Sequence, residues 1–224
     1  MEDRGRRESK RTAARAGLIS LALVFVLRSA DADAGLPVLR LAWFDVHGAA
    51  PFAYDSVTGE VARLLQGLGA QVAWRQAEAG GASGADETQV ILLASPPSSP
   101  SLSPRTMGAT PKDRSIKAIW VFVPNVAWTL GMPARPELWS QRQRRELARA
   151  LGRVITHELV HALAPDHPHS TGLMNSTLGR DALLREGLRL DGSAVRAFRS
   201  ALSPLPKASE SAASGTRSGA AGRF

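Results

Sequence analysis

Between Ser140 and Leu163 the chain runs without a proline, and near the end of that run it reads His157-Glu158-Leu159-Val160-His161. No other stretch limits the fold as much. An α-helix advances about 100° per residue, so side chains four apart are offset by only about 40° and one turn of rise. On a helix, His157 and His161 therefore point the same way and can share one metal ion. Neutral imidazole is a good zinc ligand, with Zn–N near about 2.0–2.1 Å. Glu158 is rotated to a neighbouring face, where its carboxylate can act as general base on a metal-bound water instead of ligating the metal. That arrangement belongs to metal-assisted hydrolysis of amide bonds.

The flanking sequence predicts the helix. Ser140 with Gln143 reads as a capping box. Leu147, Leu151, Val154, Ile155 and Ala162 recur at helical spacing. Arg142, Arg149, Arg153 and Thr156 fall on the opposite side of the wheel, whereas Glu158 lies inside the apolar arc. A bare buried carboxylate is costly, so a metal-bound water and two histidines would account for it.

Four of the five histidines fall within thirteen residues, because His167 and His169 follow closely. With them the segment resembles the metzincin clan of zinc metallopeptidases, whose pattern is H-E-x-x-H-x-x-G-x-x-H followed by a Met-turn. Here it reads His157-Glu158-Leu159-Val160-His161-Ala162-Leu163-Ala164-Pro165-Asp166-His167, then Thr171-Gly172-Leu173-Met174-Asn175. The stretch from His167 to Asn175 is similar to the matrixin type. The resemblance implies zinc (Zn2+) held by His157, His161 and a third histidine, with Glu158 as the catalytic base and Met174 as an apolar floor.

The sequence departs from the pattern in two ways. The glycine at which the family's helix breaks is Ala164 here, although Pro165 can end the helix by biasing the preceding residue out of the α region. A loop without the glycine turn can also run longer, so His169 competes with His167 as third ligand; the standard spacing favours His167. Asp166 could orient a ligand, and Glu186 is the candidate for a glutamate third ligand from a later helix. No tyrosine follows the Met-turn, since the one tyrosine is Tyr54.

The absence of cysteine excludes disulfides, thiolate metal sites, a cysteine-switch propeptide and a lipid-modified cysteine anchor. The N-terminus reads as a signal peptide over residues 1–34. It has a basic region from Arg4 to Arg15, a twelve-residue apolar run from Ala16 to Leu27, and Ala32-Asp33-Ala34 as an A-x-A cleavage site. Export to a periplasm or beyond follows, with retention as an anchor the alternative; the run is short for a membrane span, which needs about 20 residues. The formal charge is +8, and the seven basic and five acidic residues of 1–34 leave 21 against 15 for the remainder. That charge is spread without a basic–aromatic motif, so no nucleic-acid partner is expected.

Along the rest of the chain, strands are expected at Val38–Phe44, Gln71–Arg75, Gln89–Ala94 and Ile116–Val123, and a helix at Thr58–Leu68. Ala77–Glu87 reads as a Gly/Ala-rich loop and Ser95–Arg114 as a mobile Pro/Ser-rich insertion. Helices are expected at Asp181–Leu188 and Ser193–Leu202, followed by a disordered tail, 203–224. This order predicts an α+β domain over residues 35–202. The resemblance implies a twisted mixed sheet with a backing helix and an active-site helix, then a small, mainly helical C-terminal part. In that family an edge strand pairs with the substrate backbone, and Asn125–Leu130 or the 95–114 loop could border the cleft.

The expectation is thus an exported, monomeric zinc endopeptidase acting on a protein or peptide, without stable membrane insertion once the signal is removed. A non-catalytic zinc-binding envelope protein is the alternative, and binding of one zinc by all four clustered histidines would favour it. A basic scaffold whose histidines bind nothing is a third reading.

Overall fold

The computed structural model describes residues 36–203 apart from 78–83, 85, 96 and 114. The expected signal segment 1–34, most of the Gly/Ala-rich loop and the tail from 204 onward lie outside the described residues.

Five strands form one sheet in the order β2-β1-β3-β5-β4: β1 (Val38–Asp45), β2 (Gln71–Gln76), β3 (Glu87–Leu93), β4 (Gly108–Ala109) and β5 (Ala118–Phe122). β1, β2, β3 and β5 run parallel, and the short β4 pairs antiparallel with the edge of β5, Gly108 opposite Val121 and Ala109 opposite Trp120. Parallel neighbours need a crossover, and α1 (Tyr54–Gln66) supplies it between β1 and β2. The result is a mixed α/β domain with a mostly parallel sheet, consistent with the α+β expectation.

The period-two alternation of strands sets the core. Trp43, Val90 and Ile119 are register partners across β1, β3 and β5, and Leu92 partners Val121; all five are buried. Against them pack Val57, Val61 and Leu65 of α1 and Leu147, Leu151 and Ile155 of α3 (Gln141–Leu163). The remaining helices are α2 (Val123–Thr129), α4 (Arg180–Leu184) and α5 (Gly192–Leu202), the last two forming the small helical C-terminal part. No helix among the described residues is long and apolar enough to cross a membrane.

Four elements differ from the sequence reading. α1 starts at Tyr54, ahead of the expected Thr58, because its N-cap, Ala53, carries no capping side chain to mark the start. α4 stops at Leu184, short of Leu188. A helix, α2, separates β5 from α3; Pro124 lies in its first turn, where the missing N–H costs nothing. The 95–114 segment is more than an insertion, since it contains β4 and completes the sheet.

The helical-wheel reading of α3 is also corrected. Arg153 and Thr156, placed on the polar side, are buried at 2% and 0% exposure. The helix is covered on almost every side from Leu147 to Val160. Thr156 satisfies its hydroxyl on the Gly152 carbonyl at 2.8 Å. Arg153 donates to Glu60 of α1 at 3.0 Å and to the Leu183 and Ala182 carbonyls of α4 at 2.7 and 3.2 Å. One side chain thereby ties three helices together. Burial pulls the Arg153 pKa down against the raising effect of Glu60.

Candidate metal centre

The capping box is formed: the Ser140 hydroxyl accepts from the Gln143 amide, and the Gln143 side chain accepts from the Ser140 amide. From that anchored start, α3 carries His157, Glu158 and His161 in its last two turns. The His157 and His161 ring centroids are 4.9 Å apart. Helical i,i+4 spacing brings both to one side, as the sequence required.

α3 ends at Leu163, and Ala164 takes φ −129°, ψ 70°. Negative φ suits alanine, so the family's glycine is not needed for this exit. The Ala164 amide still reaches the Val160 carbonyl at 2.7 Å, and a turn closes from the His167 amide to the Ala164 carbonyl at 2.9 Å. The consequence is a longer path back to the site. His169 is the residue that joins His157 and His161; one ligand atom from each of the three lies within 4.8 Å of the others. The His169 ring stacks on His157 at 5.3 Å and meets the edge of His161 at 4.8 Å. His167, favoured by the standard spacing, stands outside that group, although its ring lines the same cleft. Glu186 is exposed beyond α4 and Asp166 is exposed on the loop; neither joins the group.

The predicted Met-turn is a closed turn. The Met174 amide bonds to the Thr171 carbonyl at 3.2 Å, and the Ser170 amide to the Met174 carbonyl at 2.9 Å. Gly172 occupies φ +64°, and a Cβ there would collide with the Arg189 carbonyl, so both conformation and space demand glycine. Leu173 and Met174 are fully buried. The turn also fixes one ring of the group: His157 Nδ1 donates to the Leu173 carbonyl at 2.8 Å. A carbonyl only accepts, so the proton sits on Nδ1 and Nε2 keeps its lone pair.

Glu158 is 8% exposed and packs under the edge strand. A Cβ on Gly108 would lie 2.8 Å from Glu158 Cγ, so β4 touches the carboxylate side chain directly. The Thr110 hydroxyl is 2.9 Å from Glu158 Oε2 and 3.1 Å from the Glu158 carbonyl oxygen. Of the two segments that could border the cleft, the 95–114 stretch does so, because residues 105–112 line a cavity of about 620 Å³. His157, Glu158, His161 and His169 line the same cavity. Neither Gly108 nor Thr110 carried a sequence signal, since a Gly-Ala-Thr-Pro string among prolines and serines reads as a loop.

Burial pushes the Glu158 pKa up to about 7, and the Thr110 hydrogen bond opposes the rise. Burial, with His157, His169 and His167 alongside, pulls His161 down to about 4. Burial also lowers His157, against the raising contact with Leu173. Both helix histidines are therefore held neutral, the form that binds metals. His161 Nε2 is buried with no hydrogen-bond partner among the described residues. An orphaned buried nitrogen is costly, and a metal ion would satisfy it. Three imidazoles with a buried carboxylate beside them are a donor set that fits a divalent ion such as zinc. No protein-family model, curated protein or solved structure matches the chain.

Proposed function

We propose that this protein is a zinc-dependent endopeptidase of metzincin-like type, with His157, His161 and His169 as the zinc ligands and Glu158 as the catalytic base. The observation that carries the reading is the placement of a buried, hydrogen-bonded carboxylate beside a three-histidine group in an open cleft. Three protein ligands leave a coordination position free, as catalytic zinc sites do. A zinc ion bound there would supply Lewis-acid polarisation of the scissile carbonyl and lower the pKa of an attacking water.

The chain's own residues then do the rest. Glu158 accepts the proton of the attacking water and passes it to the leaving amine. Its pKa of about 7 without metal places a base near neutrality, and a cation nearby favours the ionised form. Thr110 holds one carboxylate oxygen, leaving the other for the proton. The Leu173 carbonyl keeps His157 in the ligating tautomer, and Met174 packs beneath without chemistry. The antiparallel edge at β4 offers main-chain groups to an extended substrate. Export through residues 1–34 and a peptide substrate complete the proposal.

Elemental analysis of the purified full-length chain should give about one zinc per chain, with peptidase activity lost on chelation. Glu158→Ala should retain the zinc and lose activity; full activity in that variant sinks the mechanism. One observation keeps the non-catalytic reading in play: His167 Nε2 is also buried without a partner. A fourth histidine on zinc would close the site. His167→Ala separates the two, because it strips zinc from a closed four-histidine site and leaves an open three-histidine one loaded.

A further inference from the structure

The cleft lining carries more cations than carboxylates. Among the described residues that line it, Glu158 is the one carboxylate, and Arg105 and Lys112 are cations. Arg105 is also pre-positioned. Its guanidinium lies 4.5 Å over the Trp128 ring, which is 59% exposed, so the stack sits at the surface and not in the core. The backbone on both sides of Arg105 is clamped: the Asn125 side-chain amide donates to the Pro104 carbonyl at 2.9 Å and to the Thr106 carbonyl at 2.7 Å. A turn from the Thr106 amide to the Ser103 carbonyl at 2.9 Å closes the same segment. No carboxylate of the described residues pairs with Arg105.

A guanidinium stacked on an aromatic face keeps its fork of N–H donors free at the edge, in the geometry that suits a carboxylate. Ordering it beforehand removes the rotamer entropy that a free surface arginine would lose on binding. We infer that Arg105, held on Trp128, is a specificity-determining residue that selects an acidic side chain of a peptide lying in the cleft. This rests on the peptidase reading above. Gly108, which touches Glu158, follows Arg105 by three residues along the cavity lining. The selected Asp or Glu should therefore fall at one fixed distance from the scissile bond, on one side only. Lys112, on the other side of Gly108, adds a general preference for acidic substrate without the same geometric restriction.

The test compares the zinc-loaded full-length protein with Arg105→Glu, Arg105→Lys and Trp128→Ala on a peptide library cleaved to completion and read by mass spectrometry. An acidic residue should be enriched at one fixed distance from the cut. Arg105→Glu should reverse that preference to Lys or Arg, raising KM for the acidic peptide at least tenfold relative to a neutral one. Trp128→Ala and Arg105→Lys should each keep part of the preference. Cleavage with no acidic preference, or with a preference that Arg105→Glu leaves intact, overturns the inference. In parallel, fluorescence anisotropy measures binding of the same acidic peptide and of its amide-substituted (Gln/Asn) counterpart. Acid-selective binding lost in Arg105→Glu, without cleavage by either protein, supports the Arg105 site and refutes the peptidase. Absence of both cleavage and selective binding refutes the Arg105 assignment.

Discussion

Gly108 and Glu158 are packed so that no side chain fits between them: a Cβ on Gly108 would lie 2.8 Å from Glu158 Cγ, 2.9 Å from Oε1 and 2.8 Å from Val154 Cγ1. The edge strand and the carboxylate hold each other in place. Gly108→Ala must move one of them, and overpacking of this kind costs about 1–3 kcal/mol. A shift of the base by even about 1 Å can cost about 100-fold in rate. The expected result is a kcat reduced by at least tenfold with zinc content unchanged, checked by parallel activity and elemental assays.

Thr110 tunes the same carboxylate. Its hydroxyl stabilises the ionised form and so lowers the Glu158 pKa against the raising effect of burial. Thr110→Val removes that bond and keeps the volume, so the pKa rises. A base works only when deprotonated, and the acid limb of the pH–rate profile should move to higher pH. Activity should fall more at pH 6 than at pH 8, whereas an unchanged acid limb would mean that another group controls it.

Without bound metal, two titrations oppose each other at this site. The Glu158 pKa is raised from 4.5 to about 7, so the folded state holds a proton that the unfolded chain has already lost; stability falls as pH rises through that window. The His161 pKa is depressed from 6.5 to about 4, so the unfolded chain takes up a proton first and stability falls as pH drops through that window. Glu158→Gln cancels only the first. Stripped of metal, that variant should exceed the wild type at pH 8 by up to about 3 kcal/mol, a gain that disappears below pH 4.5. Urea melts at pH 8 and pH 4.5 measure the difference.

The helix, its capping box and the alignment of His157 with His161 were legible because they depend on local spacing alone. The third member of the histidine group was not, because whether His167 or His169 returns to the other two depends on how the chain leaves the helix at Ala164. A two-residue strand such as β4 has no periodicity to read, so Gly108 and Thr110 emerged only from tertiary packing. Arg153 was misassigned for a related reason. A helical wheel shows which side is charged, but the partners that bury this arginine, Glu60 and the α4 carbonyls, lie 93 and about 30 residues away.

Arg153 gives a prediction about stability rather than activity. Its removal leaves the Leu183 and Ala182 carbonyls without their donor and Glu60 with Arg63 alone. Breaking a buried charged network from one side costs about 3–5 kcal/mol, less here because Arg63 stays. Arg153→Met should lower stability by roughly 2–4 kcal/mol, read from denaturant melts, while any folded fraction retains zinc. Near-neutral stability would show that the three-helix tie contributes little.

Ser170 and Asp191 link the His169 loop to the last helix. The Ser170 hydroxyl donates to Asp191, whose other oxygen caps α5 through the Ser193 and Ala194 amides. Against the raising effect of burial, the hydroxyls of Ser170 and Ser193 and these amides hold the Asp191 carboxyl well below its ordinary range. Ser170 directly follows His169 and its amide closes the Met174 turn, so in the proposed zinc site this carboxylate would position a ligand it does not touch. Asp191→Ala loses both the cap, worth about 1 kcal/mol, and the grip on the loop. Supporting contacts behind metal ligands are worth about 10–100-fold in affinity. Zinc affinity, measured by chelator competition, should weaken by at least tenfold, and Ser170→Ala, which leaves the cap intact, should reproduce most of that loss with little change in melting temperature. A normal affinity in Ser170→Ala would assign Asp191 to helix capping alone.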